Sequence, residues 1–476
     1  MRELDRQAIE VHGIPGYDLM NRAGRRVFET LRARWPEARA VTICCGGGNN
    51  GGDGYVVARL AREFGLGVQL IALKAPADLS GDAARAARDW TDGGGKIEGP
   101  NERLRGDVIV DAMLGTGLDR PAKDEYARLI DHVNDTGRAV IAVDVPSGLD
   151  ADTGMPTGPC VRADVTVSFI GRKRGLYTGQ AGRWCGHRVF DDLGVPEAVH
   201  QAVDTNTDLL DDADLFAWLP DRHPDTHKGD LGHVLIIGGD HGMAGAPVLA
   251  GMAALRAGSG LVSLATRAEH VPLGVAAQPE LMMHAVEDLE VLEHLIERAD
   301  VIALGPGLGQ SQWSGLLWKR ALACDRPLVI DADGLNLLAG QSVRHERLVL
   351  TPHPGEAARL LECSTREVQA DRYAAVRALA TRFGATVVLK GHGSLVASRE
   401  GDIHVCPYGN PAMASAGMGD ALTGLIASFL GQGMDDFDAA CCGVLAHGLA
   451  GDVAARGRRQ ILTSDLIGQL EKVLPK

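Results

Sequence analysis

One pattern recurs along the chain: a short, mostly β-branched apolar run that ends in glycine or aspartate. It occurs at residues 41–45 before Gly46-Gly47-Gly48, at 108–110 before Asp111, and at 140–143 before Asp144. It returns at 234–237 before Gly238-Gly239, at 301–304 before Gly305-Pro306-Gly307, at 328–330 before Asp331, and at 387–389 before Lys390-Gly391. Near-continuous apolar strands are buried on both faces, which predicts mostly parallel sheets covered by helices. Ala/Leu/Arg-rich stretches at 53–64, 246–257 and 366–383 supply the helices. The pattern therefore predicts an α/β protein with its ligand loops at the carboxyl ends of strands. It breaks at residues 199–213, which are polar, acidic and free of glycine, and then restarts. Two α/β domains are expected, 1–205 and 206–476, each of ordinary size.

Composition sharpens this picture. The chain has 61 glycines in 476 residues, about 13% against a usual share of about 7%. No collagen period or Gly/Ser tract accompanies them, so the excess belongs to tight turns and bare backbone. Aromatic residues make up only 4%, which argues against a base-stacking platform for single-stranded nucleic acid. The net charge of −14 is unsuited to a polyanion unless the basic residues cluster. The densest cluster, Arg172-Lys173-Arg174, reads as a solvated loop or a set of local anion contacts. The nine cysteines include no C-x-x-C pair, and free thiols are the default for a cytosolic protein. The charged first residues are no signal peptide, and no apolar run approaches membrane-span length. A cytoplasmic protein is expected, with small-molecule substrates, no nucleic-acid or membrane partner, and self-association into a homo-oligomer.

In the first domain, Gly46-Gly47-Gly48-Asn49-Asn50-Gly51-Gly52-Asp53-Gly54 follows a strand and opens a helix. Bare glycines let backbone N–H groups approach a phosphate, and a helix N-terminus favours an anion. Tight packing is the plain alternative. A nicotinamide-oxidising site would carry an acid after the second strand, but the run at 68–73 ends at Lys74. Two more strand-end loops should converge on the first, Asp111 through Arg120 and Asp144 through Asp150. Their carboxylates, hydroxyl and amide oxygens suit an alkali or alkaline-earth ion rather than zinc.

In the second domain, Thr351-Pro352-His353-Pro354-Gly355-Glu356 opens a helix at Pro354 or Gly355 and holds His353 between prolines. That histidine is either structural or catalytic. Lys390-Gly391-His392-Gly393-Ser394 follows a buried-type strand and offers a phosphate contact; a surface lysine is the alternative. Asn410 through Asp420 carries small residues and glycines into an apolar helix at 421–429, with an aspartate at its mouth. Backbone N–H groups there can stabilise a transferring phosphoryl group, and Asp420 can take a proton from an attacking hydroxyl.

These residues resemble two families. Asn49-Asn50-Gly51-Gly52-Asp53-Gly54, Gly115-Thr116-Gly117 and Asp144-Val145-Pro146-Ser147-Gly148-Leu149-Asp150 look like the NAD(P)HX epimerase domain, over residues 2 to about 196. The resemblance implies a Rossmann-like three-layer αβα fold that interconverts the R and S hydrates of NAD(P)H. It gives the hydrated dinucleotide Asn49, Asn50, Gly51, Gly52 and Asp53, then Gly115, Thr116, Gly117, Leu118, Asp119, Arg120 and Pro121. It makes Asn50, Asp111 and Ser147 potassium ligands, and Asp144 the acid/base at the nicotinamide hydrate. Gly417-Met418-Gly419-Asp420 resembles the anion hole of ribokinase-like kinases. With Gly238-Gly239-Asp240, Gly305 through Gly309, the His353 loop and Asn410 through Ala414, it is similar to the ADP/ATP-dependent NAD(P)HX dehydratases, over about 215–474. That implies a ribokinase-like αβα domain. Ala246, Gly307, His353 and Asp420 would meet the hydrated dinucleotide. Lys390, Gly391, His392, Gly393, Ser394 and Gly419 would meet ADP or ATP, with magnesium arriving alongside the nucleotide. Many relatives have threonine where Met418 stands, a position expected to act through its backbone. Three rivals predict otherwise: a small-molecule kinase, a first domain that only binds, and an ordinary dehydrogenase.

Overall fold

The computed structural model describes residues 1–118, 120–219 and 222–475. Asp119, expected at the dinucleotide, lies outside them. The chain divides into two compact units, Met1–Thr205 and Asn206–Lys476.

The first unit holds six strands: β1 (Ala40–Cys45), β2 (Gly67–Ala72), β3 (Val108–Ala112), β4 (Ala139–Val143), β5 (Val165–Phe169) and β6 (His187–Asp191). They form one sheet in the order β2-β1-β3-β4-β5-β6, and every pairing is parallel. Both faces are covered, as the unbroken apolar runs require. Cys45 faces a core shared with helices Gly16–Arg34, Asn49–Glu63 and Gly81–Asp92, while its neighbour Cys44 faces one shared with Asp124–Asp135. The strand order reverses between β1 and β3, and such a switch point opens a crevice at the carboxyl ends.

The second unit is a ten-stranded sheet. Its strands are β7 (Thr207–Leu209), β8 (His233–Ile237), β9 (Leu261–Thr266), β10 (Met282–Ala285), β11 (Val301–Leu304), β12 (Leu328–Ile330), β13 (Leu348–Leu350), β14 (Thr386–Leu389), β15 (Ser394–Ala397) and β16 (Ile403–Cys406). The order is β10-β9-β8-β11-β12-β13-β14-β15-β16-β7. It is parallel except at β15, which runs antiparallel to both neighbours. The switch point lies between β8 and β11. Helices Gly245–Arg256, Met418–Gly431 and Asp436–Ala454 share one core with the sheet. The first two approach closely at Gly424, where a Cβ would stand 2.0 Å from the Ala250 carbonyl oxygen.

Four boundaries depart from the sequence reading. The first-domain helix starts at Asn49, not at residue 53, so Asn49 to Gly52 belong to its first turn. Gly51 permits this, since a Cβ there would sit 2.1 Å from the Gly46 carbonyl oxygen. The stretch 366–383 is two helices, Thr365–Ala370 and Arg372–Phe383, because Asp371 caps the second through the Ala374 N–H. The last glycine-rich loop ends earlier than expected, with Gly419 and Asp420 already inside helix Met418–Gly431. The polar break at 199–213 is not bare linker. Its Thr207–Leu209 pairs with β16 and extends the second sheet.

Candidate active sites

In the first unit the carboxyl ends of β1, β3, β4 and β5 surround a cavity of about 510 Å³. Asn49, Asn50, Asp53, Gly115, Thr116, Gly117, Leu118 and Asp144 all line it. Gly51, Gly52, Arg120 and Pro121 do not. Gly51 packs on the Gly46 carbonyl and Gly52 on the Met20 side chain, so these two glycines serve helix packing in this structure. Lys74, which counted against a dehydrogenase, also faces the cavity.

Asp144 stands just past β4 with a φ of +65°. The Val145 N–H donates to the Val143 carbonyl at 2.8 Å, so Asp144 is the centre of the rarer, positive-φ kind of γ-turn. The adjacent strand ends the same way. Ile170 has a φ of +61°, and the Gly171 N–H donates to the Phe169 carbonyl at 2.7 Å. A β-branched residue in that region is a real outlier, and such strain, about 1–3 kcal/mol per residue, clusters at functional sites.

Two residues that the sequence reading did not assign to this site sit beside Asp144. Lys173 is buried, and its Nζ lies 2.5 Å from the Asp144 carboxylate. Of the three-residue basic cluster, this one is an inward ion pair rather than a solvated charge. Asp5, near the chain start, also faces the cavity. Burial pushes the Asp5 carboxyl above the usual range, with Asp144 adding to the rise and Lys173 opposing it. Asp53 is raised well above it, first by burial and then by the charges of Asp144 and Asp5.

The expected potassium ligands are partly gathered. Asp111 and Ser147 are fully buried together: the Ser147 Oγ and N–H donate to the two Asp111 carboxylate oxygens at 2.6 and 2.8 Å. Burial pushes the Asp111 carboxyl up to about 6, against these hydrogen bonds. Asn50 lies against Gly115, and its buried amide nitrogen has no hydrogen-bond partner.

In the second unit the two switch-point loops are laced together. The Gly239 and Asp240 N–H groups donate to the Pro306 and Gly307 carbonyls at 3.1 and 2.7 Å. A Cβ at Gly307 would stand 3.3 Å from the Ala246 Cβ, so these two expected residues are neighbours. The Gly309 N–H donates to Asp333 at 2.8 Å.

Beside them is a charged cluster that the sequence showed only in part. Lys390 Nζ is 2.6 Å from the Asp331 carboxylate and 3.9 Å from Glu356. Thr423 Oγ1 donates to the other Asp331 oxygen at 2.8 Å. A Cβ at Gly419 would be 3.1 Å from Lys390 Nζ and 3.5 Å from Asp331, so the first turn of helix Met418–Gly431 rests on this pair. Burial works against the charge of Asp331, yet Lys390 and Thr423 outweigh it and hold its carboxyl below the usual range. Asp420 is the reverse. Burial, then the Asp331 charge, pushes it up to about 7, with Lys390 opposing. Glu356 is likewise pushed up to about 7, chiefly by burial.

His353 is the N-cap of helix Pro354–Leu361. Its Nδ1 accepts from the Gly355 and Glu356 N–H groups, and its own N–H donates to Glu356 at 2.8 Å. The structural role left open by the flanking prolines is thus present, and the half-exposed Nε2 edge lies 3.3 Å from Glu356. Lys390 through Gly393 forms the turn of the β14–β15 hairpin. Buried Arg372 supports it by donating to the carbonyls of Leu389, Lys390 and Gly393. The Met418 side chain packs into the core, and its carbonyl meets the partly buried His447 Nε2 at 3.0 Å. Asp331, Thr423 and Glu356 lie on different elements, and the sequence signalled only Asp331, as a strand-end aspartate.

Two family models match the chain. One, described as YjeF-related protein N-terminus, covers residues 16–175. The other, described as NAD(P)H-hydrate dehydratase, covers residues 234–473, half of the chain. The bifunctional NAD(P)H-hydrate repair enzyme Nnr of Coxiella burnetii is 47% identical over 474 residues, spanning 99% of this chain and 97% of the relative. The enzyme of the same name from Escherichia coli is 44% identical over 480 residues, spanning 100% and 92%. The chain belongs to the bifunctional NAD(P)H-hydrate repair enzymes. Solved structures agree on the fold. The ADP/ATP-dependent NAD(P)H-hydrate dehydratase of Bacillus subtilis, co-crystallised with ATP and Mg2+, is 30% identical with a TM-score of 0.51, covering 57% of this chain and 98% of that one. A ribokinase-like superfamily protein from Enterococcus faecalis is 29% identical with a TM-score of 0.54, covering 57% and 96%. The family membership and these neighbours bear out the two-domain α/β reading, including a ribokinase-like second domain. Among the described residues, no helix is long and apolar enough to cross a membrane.

Proposed function

We propose that residues 1–205 interconvert the R and S hydrates of NADH and NADPH, and that residues 206–476 dehydrate the S form using ADP or ATP. The observation that carries the reading is Asp420. It sits in the first turn of a helix, pushed up to about 7, where a general base for neutral pH should be poised. Asp420 takes the proton of the ring hydroxyl as that oxygen attacks the terminal phosphoryl group. The N–H groups of the first helical turn face the developing charge, and Lys390 holds Asp331 ionised beside them. Phosphate, a better leaving group than hydroxide, then departs from C6. Loss of the C5 proton restores the ring double bond. Ala246, Gly307 and His353 would hold the hydrated dinucleotide, and Lys390 through Ser394 with Gly419 the adenine nucleotide. Magnesium would neutralise charge on the nucleotide phosphates. Among the described residues no group of three or more His, Cys, Asp or Glu side chains is arranged for a metal, which fits an ion carried mainly by the phosphates.

In the first unit the lining of Asn49, Asn50, Asp53 and Gly115 through Leu118 supports dinucleotide binding, with Asp144 at the reacting ring. Asn50, Asp111 and Ser147 would hold potassium. The single buried carboxylate of Asp111, with the Ser147 hydroxyl on it, suits a weakly charged oxygen site. The ion would supply fixed positive charge near the phosphates. Nine free thiols fit the cytoplasmic location expected of this enzyme, and the expected homo-oligomer belongs to the same reading.

The test is to incubate the protein with mixed R and S NADH hydrates, ADP and magnesium, and follow the near-ultraviolet absorbance of NADH. The reading expects recovery of absorbance with release of free phosphate. No recovery with either ADP or ATP would refute it, and a stable phosphorylated product would mark a small-molecule kinase instead.

A further inference from the structure

The two γ-turns of the first unit end adjacent parallel strands, and one side chain ties them together. The Lys173 ammonium donates to the Phe169 carbonyl at 2.7 Å, the same oxygen that closes the Ile170 turn. It also lies 2.5 Å from the carboxylate of Asp144, the centre of the other turn. With 2% of its side chain exposed, Lys173 has no solvent role. Asp144 also faces like charge: Asp5 from helix Arg2–Arg6 and Asp53 from helix Asn49–Glu63. The amino group of Met1, Lys74 and Asp82 complete the charged lining of the cavity among the described residues.

We propose that Lys173 is a positioning residue for epimerisation: it pins the two strained strand ends together and holds the Asp144 carboxylate aimed at the substrate. The proposal rests on the epimerase reading of this unit. An acid/base must be within reach of the proton it moves and aimed at it. Lys173 touches the Asp144 carboxylate and the Phe169 carbonyl at once, so the carboxylate's direction depends on that side chain.

The test compares the full-length protein with Lys173→Met and Lys173→Arg, starting from pure R NADH hydrate and following its conversion to S by chromatography. Wild-type conversion is measured first; if wild type does not epimerise, the epimerase reading fails and the proposal with it. If it does, Lys173→Met should lose about 100-fold in kcat, with KM changed less than about threefold. Lys173→Arg, which keeps the charge and the donor, should recover at least a tenth of the wild-type rate. This arm decides the matter if the methionine variant fails to fold. An unchanged rate in Lys173→Met, or a loss in Lys173→Arg as deep as in Lys173→Met, would overturn the proposal.

Discussion

Each unit pairs a lysine with an aspartate beyond the carboxyl ends of its strands, but the pairings differ in kind. In the first unit Lys173 touches Asp144, the expected acid/base itself. In the second, Lys390 touches Asp331, and the expected base Asp420 follows Gly419, which rests on that pair, with its carboxyl pushed up to about 7. A base that must take a hydroxyl proton at neutral pH gains from a raised pKa. Asp144 is instead held in place by direct contact with a cation. The same two residue types are therefore used in opposite senses. In the first unit the lysine serves the base; in the second it neutralises the base's neighbour.

The largest expected effect is on Asp420. Asp420→Asn should lower dehydration by about 10²–10⁴-fold, the usual worth of a positioned general base, while leaving conversion between the R and S hydrates intact. Asp144→Asn should show the mirror image: epimerisation falls by a similar factor, and dehydration of pure S hydrate continues at the wild-type rate. Measuring both activities on each variant would break the comparison if either substitution silenced both.

The pH dependence should separate the units next. Asp420 works only when ionised, so dehydration kcat should fall about tenfold per unit as pH drops below about 7. Glu356, being negative, raises the Asp420 pKa. Glu356→Gln should move that acid limb to lower pH, visible in a pH–rate profile with S hydrate and ADP. A limb that stays in place would separate Glu356 from the base.

A smaller effect is expected at Arg372, which props the Lys390 hairpin through three carbonyls. Arg372→Met should raise the KM for ADP by roughly tenfold, the scale of losing one or two charge-assisted hydrogen bonds. The KM for S hydrate should change less. The smallest is Ser147→Ala, which should weaken the potassium dependence of epimerisation a few-fold, read as the potassium concentration for half-maximal rate.

The strands and both glycine-rich site loops were legible because apolar runs ending in glycine or aspartate are local signals. Asp144, Asp420 and Asp111 stood at strand ends or a helix mouth, where sequence position alone draws attention. Lys173 was visible only as one of three adjacent basic residues. Which of the three turns inward depends on the Ile170 turn and on Asp144, 29 positions earlier. Glu356 and Thr423 were hidden for the same reason. Glu356 reads as the partner of a helix cap and Thr423 as a helix interior residue, and only the sheet order brings both toward Lys390. The early helix start at Asn49 was obscured because the six glycines between 46 and 54 read as loop. The packing of Gly51 on the Gly46 carbonyl and of Gly52 on the Met20 side chain is tertiary.

Two separable sites acting in series on one substrate should complement each other in a mixture. The decisive experiment uses pure R NADH hydrate with ADP and magnesium and three samples: Asp144→Asn alone, Asp420→Asn alone, and the two mixed in equal amounts. The account predicts little recovery of NADH absorbance from either variant alone within the time wild type needs, and substantial recovery from the mixture, as S hydrate made by one variant is dehydrated by the other. A mixture as inactive as its components, beside a fully active wild type, would contradict it.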